Sequence, residues 1–316
     1  MSVNNDNPIQ ADDDFKDEGF AASTNTSYLT SLASSIRRGI EENGRIYANY
    51  GRNLYGLPVD DEEQDRNDLQ HCKIALMLDG KLHAAPISET PQNILDLGTG
   101  SGIWAIDMAD RYPTTRVIGN DIAPVQPTVV PPNCEFEIED IETDWPYRKS
   151  SFDFIHCREF LLAIRDWQRL INQSFEHLQP GGYLEISGTY PHPASDDNTL
   201  PEDSAYVEFG DTMRRIADIL GTPIDAPAHW RRQMELAGFE DVHETIYKMP
   251  SSPWPKDKRM KQIGAFELTN FSEGAEAFML RGYTQILGGS LEEAQVLFAR
   301  ARSEVRNRAV HAYVYL

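Results

Sequence analysis

Residues 94–102 read Ile94-Leu95-Asp96-Leu97-Gly98-Thr99-Gly100-Ser101-Gly102. A short apolar run ends in an acid, a Gly-x-Gly-x-Gly turn follows, and the stretch Ile103–Arg111 after it has helical spacing. The reading is strand, tight turn, helix, with glycines that free the backbone for a sharp turn and for close approach of a ligand. A dinucleotide fingerprint would set its third glycine one residue later and face a helix N-terminus towards a pyrophosphate. Here that glycine comes early, and the carboxylate of Asp96 stands where a pyrophosphate would be repelled.

Outward from this turn the apolar pattern predicts further strands at Arg116–Asp121, Glu135–Glu139, Phe152–His156 and Tyr183–Ser187, with helices between several of them, notably Trp167–Leu178. Strands alternating with helices mean βαβ crossovers and a mainly parallel sheet. Val242–Lys248 and Ala309–Leu316 complete the expectation: an α/β, Rossmann-like sheet of seven mostly parallel strands. Upstream, residues 1–25 are polar, acidic and aperiodic, and are expected to be a disordered tail. Residues 26–85 read as a helical N-terminal extension. Leu29, Leu32, Ile36 and Ile40, then Tyr47, Tyr50 and Leu54, recur at helical spacing, and a second helix opens in the acidic run Asp60–Glu63. Residues 86–316 form the main domain, with insertions at 190–225 and 250–305 placed where substrate sites are commonly shaped.

The 316 residues are 40% hydrophobic and carry a net charge of −21. Such a surface disfavours nucleic acid and anionic lipid. The chain has no apolar run near the roughly 18 residues of a membrane span, and its start has no signal-peptide pattern, so a cytoplasmic protein is expected, with the nucleus as the alternative. Cys72, Cys134 and Cys157 have no metal-ligand spacing, and no metal is expected.

An acid that repels pyrophosphate favours a ligand whose nearest groups are an ammonium and a sulfonium, which points to S-adenosylmethionine. The following strand ends agree. Asp121 ends the second strand and can accept both ribose hydroxyls, with Ile122 against adenine. Asp140 follows the third strand and can accept from the adenine amino group, with Ile141 as an apolar wall. The expected cofactor set is therefore Asp96, Gly98, Thr99, Gly100, Gly102, Asp121, Ile122, Asp140 and Ile141, with His156 packed beside it.

These residues resemble the class I methyltransferases, and longer stretches resemble the fungal LaeA-like branch. They are Glu63-Gln64-Asp65-Arg66-Asn67-Asp68-Leu69-Gln70-His71, the turn with Ile103-Trp104-Ala105-Ile106-Asp107, and Gln126–Cys134 with its Pro-Pro-Asn-Cys. Phe152–His156, Leu178–Glu185 and Trp254-Pro255-Lys256-Asp257 extend the likeness from about residue 45 onward, and that family usually runs a few residues past the equivalent of His311–Leu316. The resemblance implies methyl transfer and leaves two functions open. One is methylation of an oxygen, nitrogen or sulfur of a small natural product in secondary metabolism. The other is regulation through velvet-type protein partners.

Methyl transfer needs alignment and, for a hydroxyl or thiol, a base. His156 and Glu159, after the fourth strand, are the first candidates, and His71, on a helix able to lie over the cofactor, is the third. Arg52 or Gln70 is a candidate for the methionine carboxylate. Aromatic residues concentrate in the insertions, among them Tyr206, Phe209, Phe271 and Phe278, and a minority of them are expected to line an apolar pocket for a planar acceptor.

Overall fold

Strand β3 (Asn93–Leu97) is buried on both faces, because Ile94, Leu95 and Leu97 are each at most 1% exposed. That is the pattern of a central parallel strand. In a computed structural model, which describes residues 39–50 and 56–316, β3 lies between β4 (Arg116–Asp121) and β6 (Phe152–Arg158). With β5 (Cys134–Ile138) and β7 (Leu178–Ser187) the order is β5-β4-β3-β6-β7, all parallel. The chain leaves β3 towards β4 on one side and returns to β6 on the other. This reversal opens a crevice at the carboxyl ends of β3, β4 and β6.

The pleat divides the core. Ile94, Val117 and Phe154 pack against Trp104 and Met108 of α2 (Ile103–Arg111), whereas Leu95, Ile118, Ile155 and Cys157 pack against Trp167 and Leu170 of α3 (Trp167–His177). Here α1 is the helix Asp61–Met77, whose first turn is capped by the Asp60 side chain accepting from the Glu63 N–H.

Two expectations are corrected. The central sheet has five strands, not seven. Residues 242–247 form no strand, and Lys248–Pro250 (β9) instead joins Tyr190–Ala194 (β8) and Tyr313–Tyr315 (β10) in a separate antiparallel sheet of order β8-β10-β9. Pro191, Pro193 and Pro250 all fall on its two edge strands, where a missing N–H breaks no ladder, and the central strand has none. Residues 40–47 are not helical either. Ile40–Glu42 (β1) pairs with Arg45–Tyr47 (β2) across Asn43-Gly44, both at positive φ, the preferred residue pair for a two-residue hairpin turn. Residues 48–50, with Tyr50, are not helical either, and the remainder of that expected helix, including Leu29, Leu32, Ile36 and Leu54, lies outside the described residues, as do Arg52 and the expected tail.

The insertions supply α4 (Ala205–Leu220), α6 (Lys258–Arg281) and α7 (Leu291–Arg306), while α5 (Trp230–Ala237) packs beside α3. Met77 of α1 shares one hydrophobic cluster with Phe209, Met213, Phe271 and Phe298 of these helices. The hairpin holds the end of α6: the Arg281 guanidinium lies 4.2 Å over the Tyr47 ring and pairs with Glu42. Among the described residues no helix is long and apolar enough to cross a membrane.

Gly102 caps α2 at φ +83°, and a Cβ there would stand 2.4 Å from the Phe136 ring. Gly181 has a similar φ of +84° but open space around it. Gly181→Ala is expected to cost about 1 kcal/mol from backbone strain alone. Gly102→Ala is expected to cost about 1–3 kcal/mol more because the ring must move. Urea midpoints of the two variants measure the difference.

Candidate active site

The glycine turn is held from behind. Asp96 is 3% exposed, accepts from the Thr99 hydroxyl at 2.6 Å and meets His156 Nδ1 at 2.7 Å. The His156 ring in turn stacks on Trp104, with centroids 3.7 Å apart and planes 6° apart. Asp96, Thr99 and His156 thus form a buried support for the turn, and none of the three lines the cleft in front of it.

This places His156 differently from a strand-end base. Strand β6 continues to Arg158, so His156 sits two residues inside the sheet, on the face covered by α2 and 2% exposed. Burial lowers its pKa, although Asp96 pulls the other way. Asp96 is likewise turned inward, and its charge is spent on Thr99 and His156.

The cleft lies over the strand ends. Gly98, Asp121, Ile122, Asp140 and Ile141 from the expected set line it, together with Arg158, Glu159 and Phe160. Gly98, Gly100 and Gly102 all have positive φ. Asp121 is tied to the turn, accepting from the Gly100 N–H at 2.8 Å and the Ala123 N–H at 3.0 Å. Desolvation pushes its pKa up to about 6, against those backbone donors and with some help from Asp96. Asp140 accepts from the Glu142 N–H at 3.0 Å and so closes the turn after β5.

Glu159 is the first residue beyond β6. Its φ is +58°, and its carboxylate accepts from the Thr189 hydroxyl at 2.9 Å. It faces both the cleft and a second recess between α1, α4 and α6. His71 faces neither. It is 5% exposed, accepts at Nδ1 from Arg158 (3.1 Å) and therefore carries its proton on Nε2, towards Asp107 at 2.9 Å. Gln70 belongs to the second recess and not to the cleft.

Two residues escaped the sequence reading. Arg158 reaches the cleft; burial lowers its pKa, against the pull of Asp96, Glu159, Glu185 and Asp107. Its signal was parity, since it follows Phe154 and His156 on alternate positions. Gln64, on the face of α1 over the turn, has a buried Oε1 without a hydrogen-bond partner, and it would lie 3.9 Å from a Cβ at Gly100. Among the described residues no group of side chains is arranged to hold a metal ion.

A switch-point cleft fronted by a glycine turn and by acids at successive strand ends defines a Rossmann-like protein that binds an adenosine-bearing cofactor. Residues 69–244 match the family described as methyltransferase domain. The chain is 39% identical over 287 residues to methyltransferase pytC of Aspergillus terreus, covering 90% of this chain and 88% of that one. It is 36% identical over 278 residues to the secondary metabolism regulator LAE1 of Cochliobolus heterostrophus, covering 86% and 91%. Among solved structures it is similar to phosphoethanolamine N-methyltransferase 2 of Haemonchus contortus, with a TM-score of 0.46 and 17% identity, covering 77% of this chain and 50% of that one. The chain belongs to the methyltransferase-domain family. It is an enzyme of the S-adenosylmethionine-dependent class.

The site's own chemistry fits that cofactor. The Gln64 amide oxygen near the glycine turn lacks a donor, which the ammonium of such a cofactor provides, and the strand-end residues Asp121 and Asp140 line the cleft. The space in front of Gly100 would admit a Cβ without a clash.

The raised pKa of Asp121 has a thermodynamic consequence. Between the unfolded value near 3.9 and the folded value near 6 the native state binds more protons, so this group's contribution falls as pH rises through that window. The stability of wild type relative to Asp121→Asn is expected to fall by about 2–3 kcal/mol from pH 4 to pH 7. Urea unfolding of both proteins across that range checks it.

Proposed function

We propose that this chain transfers a methyl group to an oxygen, nitrogen or sulfur of a small natural product in the secondary metabolism of a fungal cell, acting in the cytoplasm. The observation that carries this reading is Glu159, which borders both the cofactor cleft and a separate recess lined by aromatic side chains. A cofactor on one side and an acceptor on the other would meet at that side chain. The net charge of −21 supports a small-molecule acceptor over nucleic acid or membrane.

When bound, S-adenosylmethionine supplies an electrophilic methyl on a sulfonium. The chain's residues supply the rest. The Gly98–Gly102 backbone would admit close approach, Asp121 would accept from the ribose hydroxyls, Ile122 and Ile141 would lie against the adenine, and Asp140 would accept a hydrogen bond from its amino group. Gln64 Oε1 would accept from the ammonium. Arg158 offers its guanidinium to the carboxylate, and His71 positions Arg158 rather than acting as a base. Glu159 orients the acceptor's nucleophile and takes its proton.

Relatives named as regulators support a second reading, in which the same fold acts through velvet-type protein partners, with the nucleus as its compartment. Stoichiometric recovery of such partners, with no transfer of labelled methyl to any fungal metabolite extract, would favour that reading.

Calorimetric titration with S-adenosylhomocysteine tests the cofactor site. Asp121→Ala is expected to weaken binding by about 1.5–3 kcal/mol. Gly100→Ala should fold, since its methyl meets nothing closer than Asn67 Nδ2 at 3.6 Å, yet lose at least about tenfold in affinity by filling the cofactor's space. Unchanged affinity in both variants would overturn the site. Glu159→Gln is expected to keep cofactor affinity while slowing single-turnover methyl transfer to an active extract by about 10²–10⁴-fold.

A further inference from the structure

The lining of the second recess is of two kinds. One is apolar and aromatic: Tyr206, Phe209, Met213, Phe271 and Phe278 stand around it, with Leu161 beside Glu159. The rings are set edge to face, Tyr206 on Phe271 at 4.8 Å and Phe209 on Phe271 at 5.0 Å. The other is a buried polar floor. Lys73, fully buried, donates to Glu267 Oε2 at 2.5 Å and to Gln70 Oε1 at 2.7 Å. Asn270 donates to the same Glu267 oxygen at 3.1 Å and accepts from Arg66 at 2.7 Å, and Arg66 also pairs with Glu63.

This floor is neutralised but not saturated. Gln70 spends its carbonyl oxygen on Lys73 and retains its amide N–H groups, and Glu267 spends Oε2 and retains Oε1. Gln70 is 8% exposed and Glu267 5% exposed, and both line the recess. One donor and one acceptor are therefore offered by the lining of the recess, and Glu159 lines both the recess and the cofactor cleft. Burying such groups without partners is costly, so an occupant that satisfies both is favoured over water-excluding hydrocarbon.

We propose that this recess is the acceptor site, and that it takes an uncharged, ring-containing compound with a hydroxyl or amide at its far end and the methyl-accepting hydroxyl at Glu159. The assignment rests on the methyltransferase reading above. Charge sets the class. Of the charged side chains that line the recess, two are carboxylates, Glu159 and Glu267, and one is a cation, Arg66, so a carboxylate-bearing acceptor is disfavoured. The aromatic walls select a planar apolar body by edge and face contacts. At Glu159 the acceptor O–H bond breaks as the new O–CH3 bond forms. The proton passes to the carboxylate, and the sulfonium leaves as a neutral thioether.

The test uses the full chain with S-adenosylhomocysteine present and two probes of matched shape, 2-naphthol and 2-naphthoate, followed by protein-observed NMR. The expected result is saturable binding of 2-naphthol and at least about tenfold weaker binding of 2-naphthoate. Leu161→Trp, which narrows the apolar part, and Gln70→Leu, which removes the free donor, are each expected to weaken 2-naphthol by about tenfold while leaving S-adenosylhomocysteine affinity unchanged. Equal binding of the two probes, or 2-naphthol binding that ignores both substitutions, overturns the acceptor site. Failure of the folded wild type to bind S-adenosylhomocysteine overturns the methyltransferase reading instead, so the two failures are separable.

Discussion

A single buried carboxylate gathers the elements that make the cleft. Asp96 reaches the Thr99 hydroxyl, which shapes the glycine turn, and His156, which belongs to the neighbouring strand and lies flat beneath Trp104 of the following helix. Strand β3, its turn, α2 and β6 are thereby fixed to one another at the point where strand order reverses. A charge this far from water survives only when its lone pairs are occupied. The two partners of Asp96 occupy them, and in doing so set the depth and direction of the turn that Asp121 then grips from the other side.

The same arrangement explains what local sequence could and could not reveal. The strand, the three glycines and the acids at the next two strand ends are neighbours along the chain or repeat with the period of the fold, so Asp121, Ile122, Asp140 and Ile141 were legible. The direction of Asp96 and His156 was not, because it depends on where β6 stops. Two more residues of strand carry Arg158, rather than His156, to the cleft. The hairpin at residues 40–47 carries its own signal in Asn43-Gly44, yet the apolar spacing around it imitates a helix, and only pairing decides between them. The short strands β9 and β10 alternate as sheet-extending strands do; that they form a separate sheet with β8 is a tertiary fact.

The polar floor of the second recess was the least legible part. It joins Arg66 to Asn270 and Lys73 to Glu267, about two hundred residues apart in the chain, and no local pattern links them. Taken singly, these charged and amide side chains on α1 and α6 read as solvated helix faces. They are buried because α1 packs along α6, so the face of α1 that bears Arg66, Gln70 and Lys73 is turned to the interior while Gln64 and Asn67 stand near the glycine turn. One helix consequently lines the recess and stands beside the glycine turn.

Glu159 lines the recess and the cleft alike, as one side chain held at positive φ and anchored to Thr189. A side chain that lines both chambers cannot be private to either. Any rotamer it adopts for an occupant of the cleft is the rotamer that an occupant of the recess must meet, so the two affinities are linked through a shared conformational free energy. That linkage is reciprocal by necessity: whichever molecule tightens the site for the other is itself held more tightly in return.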